Sequence, residues 1–425
     1  MSERDYAELV ARLVGARRFG MRLELDRVIA CLDQLGHPER APALRVQIAG
    51  TNGKGSTAAF VESILRSAGL STGLYTSPHL LRLSERFRAG GEELVPGELL
   101  AADREVGAAA DALALDLTFF ERLTLMAAVA FAARRVEVAV YEVGMGGRLD
   151  ATSALGAEVA AVTGVALDHQ EHLGERLDLI AREKAGVFRP GQHAVIGLAG
   201  EPEAVPILVA EARERGVESL VVVGRVEVDA VGAPLGLDGP HQKANAACAL
   251  AVIDACARRL GRPIDEGTRA AGLAACRLPG RLERLARDPL VIADGAHNPH
   301  ASRALADALP GLAPGRRWVA VLGVSSDKDV AGIVGPIASR ASAIVATAST
   351  HDRALAPGDL ARAAGAFTAA VHQAPDLAGA LALARSLAGA GGAIVVAGSL
   401  FLVGEARALL LRESADPTPA FDPVR

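Results

Sequence analysis

The spacing of apolar residues changes along the 425-residue chain. Near the N-terminus it follows the helical period and predicts two helices, with Leu9, Leu13, Val28, Ile29 and Leu32 on their apolar faces. Short continuous apolar runs then predict buried strands at Val46–Ala49, Ser71–Tyr75, Val136–Val143, Val159–Thr163, Ala194–Ile196 and Leu220–Val223. Because helical stretches separate these strands, a mostly parallel α/β sheet is expected.

The same alternation begins again after Gly280. Strands are predicted at Leu290–Ala293, Trp318–Leu322, Ala343–Ala346 and Ala393–Val396, each paired with a helix. A chain of this length exceeds the usual size of one hydrophobic core. We therefore predict two α/β domains, residues 1–286 and 287–425, with the boundary near Arg287. The segment from Ser414 onward is expected to be frayed.

A glycine-rich loop follows the first strand. It reads Gly50-Thr-Asn-Gly-Lys-Gly-Ser56 and leads into a helix predicted from Thr57 to about Ala68. Glycines allow several backbone N–H groups to converge on one anion, and a helix N-terminus adds partial positive charge. The spacing differs from the common P-loop pattern, so a plain strand-to-helix turn with a surface lysine is the alternative. We predict a nucleoside triphosphate site, with Lys54 on the phosphates and Ser56 near magnesium.

Composition narrows the class of protein. The net charge of −5 and the absence of a long basic run argue against a nucleic-acid binder. Four scattered cysteines indicate reduced thiols, and the charged first twenty residues lack a signal sequence. The longest apolar run, Leu123 to Ala133, is too short to span a bilayer. A cytoplasmic protein without nucleic-acid or membrane partners is expected, and nothing in the sequence requires a partner subunit, so a monomer is expected.

Polar residues follow several other predicted strands. Ser77 precedes a proline, Glu142 closes an apolar strand, and Asp168 and His169 follow another strand. Each has a plain alternative: a turn serine, a carboxylate at the sheet edge, a structural histidine. Their shared position at the carboxyl edge of a parallel sheet favours a magnesium site. Lys184 lies late in a helix, where a solvated face is the alternative, because an ammonium group cannot bind a cation.

A last cluster is divided between the two predicted domains. Gln242 and Asn245 share a helix face, Arg281 lies near the boundary, and Asp294 follows the first strand of the second domain. Alone, Asn245 could be a surface amide and Asp294 a helix cap. Together they suggest ATP held by both domains, with the base and ribose contacted by the second.

These motifs, in this order, resemble the folylpolyglutamate synthase/dihydrofolate synthase branch of the Mur ligase superfamily. The resemblance extends from about Leu25 to Gly404 and includes Ser77-Pro-His-Leu80, Glu142-Val-Gly-Met-Gly-Gly-Arg-Leu-Asp150, Glu183-Lys-Ala-Gly186 and Asp294-Gly-Ala-His-Asn-Pro299. It implies a P-loop-containing central ATPase domain followed by a Rossmann-like C-terminal domain. Two positions depart from the family pattern: Ser153 replaces a common Asn, and Glu24 replaces an expected Gly beside the segment that cradles dihydropteroate.

The resemblance also implies a role for each candidate residue. Lys54, Lys184 and His297 are expected to act in catalysis, with Lys184 matching a lysine that is carbamylated in the family. The other positions are expected to bind ATP (Gly53, Lys54, Gly55, Ser56, Asn245, Arg281, Asp294), one or two magnesium ions (Ser77, Glu142, His169) and the pterin substrate (Phe120, Leu149, Asp150, Ala151).

The activity that the resemblance implies is the ATP-dependent addition of L-glutamate to tetrahydrofolate, and to dihydropteroate, through an acyl phosphate. The alternatives are a monofunctional folylpolyglutamate synthase, a Mur-type ligase acting on cell-wall precursors, and a regulatory ATPase. The cell-wall ligase would require an additional N-terminal domain, for which there is no room before Val46. The regulatory ATPase would leave the Asp294–Pro299 motif without a role.

Overall fold

The computed structural model describes residues 3–15, 24–168, 170–368 and 370–416. Contacts divide the chain into two units. The first consists of Met1–Gly236, Gln242–Arg277 and Asp416–Arg425, and the second of Leu237–His241 and Leu278–Ala415. The boundary expected near Arg287 falls inside the second unit, because residues 283–287 pair with residues 290–293 in one hairpin.

The first unit is built on a mixed, mainly parallel sheet. Its strands are β1 (Leu44–Ala49), β2 (Thr72–Tyr75), β3 (Phe87–Ala89), β4 (Glu92–Glu93), β5 (Val138–Glu142), β6 (Val159–Val162), β7 (His193–Ile196) and β8 (Ser219–Val222). Their order across the sheet is β4-β3-β2-β5-β1-β6-β7-β8, and only the β2–β3 and β3–β4 pairs are antiparallel. β1 therefore lies centrally, between β5 and β6.

The helices of this unit cover both faces of the sheet. They are α1 (Glu3–Gly15), α2 (Asp26–Gln34), α3 (Lys54–Ser67), α4 (Pro96–Ala112), α5 (Phe119–Ala133), α6 (Gln170–Leu173), α7 (Leu177–Ala185), α8 (Ala204–Glu214), α9 (Arg225–Asp229), α10 (Gln242–Leu260) and α11 (Glu266–Ala275). One hydrophobic cluster joins α1, α2, α4 and α5 to residues of β2 and β5. Another joins α7 and α8 to β1, β6 and β7.

The second unit has its own sheet and core. Its elements are β9 (Glu283–Arg287), β10 (Leu290–Ala293), α12 (Pro299–Leu312), β11 (Trp318–Leu322), α13 (Val330–Ala338), β12 (Ala341–Ala346), α14 (Pro357–Ala364), β13 (Val371–Gln373), α15 (Leu377–Ala388), β14 (Ala393–Ala397) and α16 (Leu400–Leu411). The strand order is β13-β12-β11-β14-β10-β9, with β9 antiparallel to β10 and the other strands parallel.

Every strand predicted from the apolar runs is present, with ends that differ by at most two residues, so the mainly parallel α/β fold is confirmed. The helix after the phosphate loop begins at Lys54, earlier than the predicted Thr57. Ile29 is 43% exposed, so its assignment to a buried helix face is wrong. Among the residues that the structure describes, no helix is long and apolar enough to cross a membrane.

Candidate active site

The glycine-rich loop occupies the turn between β1 and α3, and two of its glycines are required by the backbone. Gly50 and Gly53 have φ angles of 143° and 81°, in the region that disfavours other residues. A Cβ on Gly50 would lie 2.0 Å from Thr163 Oγ1, and a Cβ on Gly53 would lie 2.2 Å from Asn245 Oδ1. Asn245, on α10, is therefore packed directly against the loop, as expected for a residue of the same site.

Two lysines hydrogen-bond to the backbone of this loop. Lys54 Nζ donates to the carbonyl of Thr51 at 3.2 Å, and Lys184 Nζ, at the end of α7, donates to the carbonyl of Gly50 at 3.0 Å. Burial, together with the positive charge of Lys54, lowers the pKa of Lys184 to about 7. The structure thus brings together two cationic side chains that are 130 residues apart in sequence (184 − 54). Lys184 is buried, so its alternative as a residue of a solvated face is wrong.

The strand register places the other predicted loops at the same edge of the sheet. Ile48 of β1 is level with Glu142 of β5, and Tyr75 of β2 is level with Tyr141. Because these strands are parallel, the loops that follow them emerge together. The backbone N–H of Ser77 donates to Glu142 Oε2 at 3.1 Å.

Oxygen-bearing side chains of this edge have the chemistry that magnesium prefers. Ser56, Ser77 and Glu142 are all buried, and hydroxyl and carboxylate oxygens are the ligands of a small hard cation. Asp168 is also buried after β6, whereas His169 lies outside the described residues. Within the described ranges, no group of three or more His, Cys, Asp or Glu side chains is close enough to hold a metal by itself.

The loop after β5 is organised by Asp150. One of its carboxylate oxygens accepts from the N–H groups of Gly144 and Met145, at 3.0 and 3.1 Å. The other accepts from Thr152 N at 3.0 Å and from Thr152 Oγ1 at 2.5 Å. Burial raises the pKa of Asp150 to about 6, against the opposing effect of these hydrogen bonds.

Phe120 of α5 packs on the same loop. A Cβ on Gly144 would lie 2.6 Å from Phe120 Cζ, so the ring touches the backbone at this point. Leu149 is half-buried, and Ala151 is buried at the start of a 3₁₀ turn, Ala151–Leu155, that Asp150 caps. The structure therefore brings together, at the loop after β5, the four residues that were predicted to lie near the pterin substrate.

Gln47 is a residue of this cluster that the sequence analysis did not identify. Its side-chain amide, on β1, donates to Thr152 Oγ1 and to Ser153 Oγ, both at 2.9 Å. Ser153 Oγ in turn donates to the carbonyl of Gly147 at 2.6 Å. Gln47 thus connects the loop after β5 to the central strand β1 by hydrogen bonds. A polar residue inside the otherwise apolar run Val46–Ala49 was the signal that could have revealed it.

In the second unit, three predicted residues meet after β10. Asp294 accepts from Leu282 N and from Ala296 N, both at 2.9 Å. His297 Nδ1 donates to the carbonyl of Gly295 at 2.7 Å, and a Cβ on Gly295 would lie 2.4 Å from Arg281 Nη1. Arg281, Asp294 and His297 are therefore neighbours at the carboxyl end of this strand. Asp294 accepts hydrogen bonds from the backbone around its own loop. It does not cap α12, because the N-cap residue of that helix is Asn298.

Comparison with known proteins identifies the family. The Mur ligase middle domain matches residues 48–229, and the glutamate ligase domain of Mur ligases matches residues 280–400. The dihydrofolate synthase/folylpolyglutamate synthase of Escherichia coli K12 is 40% identical over 321 residues, covering 73% of this chain and 74% of the relative. The chain belongs to the dihydrofolate synthase/folylpolyglutamate synthase family of Mur ligases.

Solved structures of this family agree with the fold. The Mycobacterium tuberculosis folylpolyglutamate synthase complexed with ADP has a TM-score of 0.87 and 34% identity, over 97% of this chain and 100% of that one. The bifunctional folylpolyglutamate synthase/dihydrofolate synthase of Yersinia pestis, complexed with AMPPNP and a manganese ion, has a TM-score of 0.84 and 32% identity, over 96% and 98%. This family likeness extends through both units.

Proposed function

We propose that this protein is an ATP-dependent ligase that joins L-glutamate to reduced folates and to dihydropteroate. The observation that carries the proposal is the glycine loop between β1 and α3, with Lys54 and the buried Lys184 both bonded to its backbone. Such a loop suits a polyphosphate, and the E. coli relative is named for both glutamate-adding activities.

The reaction consists of two substitutions. The carboxylate of the pterin substrate attacks the γ-phosphorus of ATP, which forms an acyl phosphate as ADP leaves. The amine of glutamate then attacks the acyl carbon, an amide bond forms, and inorganic phosphate leaves with its electron pair. No protein nucleophile is required. In our proposal Lys54 and the amides of the Gly53–Ser56 segment hold the phosphates in line and stabilise their charge.

The proposed metal ligands are Ser77, Glu142 and His169, with Ser56 close by. Glu142 is held by the backbone of Ser77, so hydroxyl and carboxylate oxygens are ordered together before any ion binds. The related Y. pestis structure contains manganese with its ATP analogue, and we propose magnesium here, as one or two ions. When bound, the ion would neutralise charge that accumulates between the β- and γ-phosphates.

Lys184 has a different proposed role. A buried lysine whose pKa is about 7 is largely an uncharged amine at slightly alkaline pH, and an uncharged amine combines with carbon dioxide. The resulting carbamate is an anion, and it would add a further oxygen ligand beside the phosphate loop, where the Lys184 amine contacts Gly50. We propose that Lys184 is carbamylated in the working enzyme.

We assign the remaining candidate residues by unit. Asn245, against the phosphate loop, and Arg281 and Asp294, after β10, are proposed to bind the nucleotide, with His297 acting beside its phosphates. Phe120 and the Leu149–Ala151 segment are proposed to line the pterin site. The assignment of ATP binding to an N-terminal domain, predicted as residues 1–286, followed by a C-terminal domain, predicted as 287–425, stays a prediction, although the contacts place residues 278–286 in the second unit. The monomeric state also stays a prediction.

A mass-spectrometric product assay tests the proposed function. The full chain is incubated with ATP, magnesium and L-glutamate, with dihydropteroate or tetrahydrofolate as acceptor. We expect a product one glutamate heavier from each acceptor, and ADP release that requires both acceptor and glutamate. Extension of tetrahydrofolate alone would indicate a monofunctional synthase. ATP hydrolysis that is independent of glutamate would contradict the ligase proposal.

A further inference from the structure

The last described residue, Asp416, returns the chain to the first unit. α16 ends at Leu411, and the residues up to Ala415 make their contacts in the second unit, whereas Asp416 makes its contacts in the first. The sequence analysis predicted fraying from Ser414 onward. For Asp416 that prediction is wrong, because its backbone and its side chain are both hydrogen-bonded. Residues 417–425 lie outside the described part.

Asp416 is anchored to one short segment. Its backbone N–H donates to the carbonyl of Leu81 at 2.9 Å, and its Oδ2 accepts from Leu83 N at 2.7 Å. The hydroxyl of Tyr6, on α1, donates to the same oxygen at 3.2 Å and accepts from Ser84 N at 3.3 Å. A single aspartate and a single tyrosine thus engage three residues between positions 81 and 84.

This anchored segment continues directly from the loop that carries Ser77. The carboxylate of Glu85 accepts from the N–H groups of Leu80, Leu81 and Arg82, at 2.8, 3.1 and 2.9 Å. Arg86 Nε donates to His79 Nδ1 at 2.8 Å. Hydrogen bonds therefore support the backbone or side chain of most positions from 79 to 84. Two of these bonds, to Leu81 and Leu83, come from Asp416.

We propose that Asp416 is a positioning residue that holds the Ser77–Leu83 loop in its working place. The inference rests on the proposed function, in which Ser77 binds the metal of the metal–nucleotide complex. A loop of this kind is mobile unless its backbone is tied down. Loss of the Leu81 and Leu83 bonds would allow the loop to shift, and a shift of about 1 Å in a positioned group can cost up to roughly 10²-fold in rate.

Two truncations that differ by one residue test the proposal. Deletion of residues 417–425 retains Asp416, and deletion of residues 416–425 removes it. Hydrogen–deuterium exchange of the full-length protein and both truncations is compared by mass spectrometry. We expect the shorter chain alone to exchange faster in the peptide covering residues 80–84, by about tenfold or more, while peptides from α3 and β10 remain unchanged.

Steady-state kinetics then distinguishes positioning from general stability. In the shorter truncation we expect kcat to fall by about tenfold or more and the half-saturating magnesium concentration to rise, with the KM for glutamate unchanged. Full-length Asp416→Ala, which loses the side-chain bonds but keeps the backbone bond to Leu81, should change the same parameters in the same direction by a smaller factor. Asp229→Ala, which changes an exposed aspartate of α9, is the matched control and should leave all three parameters unchanged.

The outcomes separate the two proposals. If the wild-type chain forms no glutamylated product, the proposed function fails. If the wild type is active and Asp416→Ala keeps its kcat, its magnesium dependence and its protection of residues 80–84, the positioning role is refuted. A lower melting temperature with unchanged kinetics also refutes it. Should the truncation not fold, Tyr6→Phe removes both hydrogen bonds of the tyrosine hydroxyl and must produce a smaller change of the same kind.

Discussion

The state of Lys184 provides the sharpest test of the site. Burial and the charge of Lys54 lower its pKa from 10.5 to about 7. At pH 7 the uncharged fraction of the amine therefore rises from about one in three thousand to about one half. Only this uncharged form can attack carbon dioxide, with formation of a nitrogen–carbon bond and release of a proton to solvent. The fold thus favours a carbamate at a position where a lysine on the surface would remain charged.

The sign of the pH dependence follows from this lowered pKa. With a pKa of about 7, the amine is about nine-tenths uncharged at pH 8 and about one-tenth uncharged at pH 6. We expect the carbamate to form readily at pH 8 and to decline as the pH falls through 7. Activity that depends on the carbamate should decline over the same range in carbon dioxide-limited buffer.

Carbon-13 NMR with labelled bicarbonate measures the carbamate directly. The wild type should give a carbamate signal that is absent from Lys184→Met and present in Lys243→Met, which removes an exposed lysine of α10. Depletion of carbon dioxide should slow the wild-type ligation, by about 10²-fold if the carbamate holds the metal, and bicarbonate should restore it. If Lys184→Met abolishes ligation while carbon dioxide depletion has no effect, the lysine acts as an ammonium group and the carbamate proposal is refuted.

Three further substitutions examine other parts of the site. Lys54→Ala should lower kcat/KM by about 10²-fold or more with an unchanged melting temperature, and a loss of less than tenfold would contradict its role on the phosphates. Asp150→Asn would turn an amide N–H group toward backbone donors. Chemical denaturation should therefore show that the free energy of unfolding falls by about 1–3 kcal/mol. An unchanged free energy of unfolding would contradict the role of Asp150 in the loop. In Gly186→Ala the new Cβ would lie 2.2 Å from Arg148 Cβ, so the melting temperature and the activity should both fall. Gly311→Ala, in open space on α12, is its control and should leave both unchanged or raise stability slightly.

Most of the strands that the sequence reveals are buried on both faces. β10 and β11 are found at their predicted ends, because a continuous apolar run between helical segments admits few other interpretations. β3, β4, β9 and β13 were missed. β4 and β9 read EE and ERLAR and lie at a sheet edge, and β3 and β13 have only three residues each. The edge strand β8 was predicted because it reads SLVV, so local pattern predicts the apolar strands of each sheet and not the short or polar ones.

The site shows the same limit at the level of side chains. The phosphate loop is local, so seven consecutive residues were enough to predict it. The bond from Lys184 to Gly50 joins positions that are 134 residues apart, and no spacing in the sequence specifies it. What specifies it is the sheet order, in which β6 lies beside β1 and the helix α7 that follows β6 ends next to the loop. The family resemblance gave Lys184 a role, and only the fold gives the physical reason that supports it, because burial beside a second cation lowers the pKa of its amine.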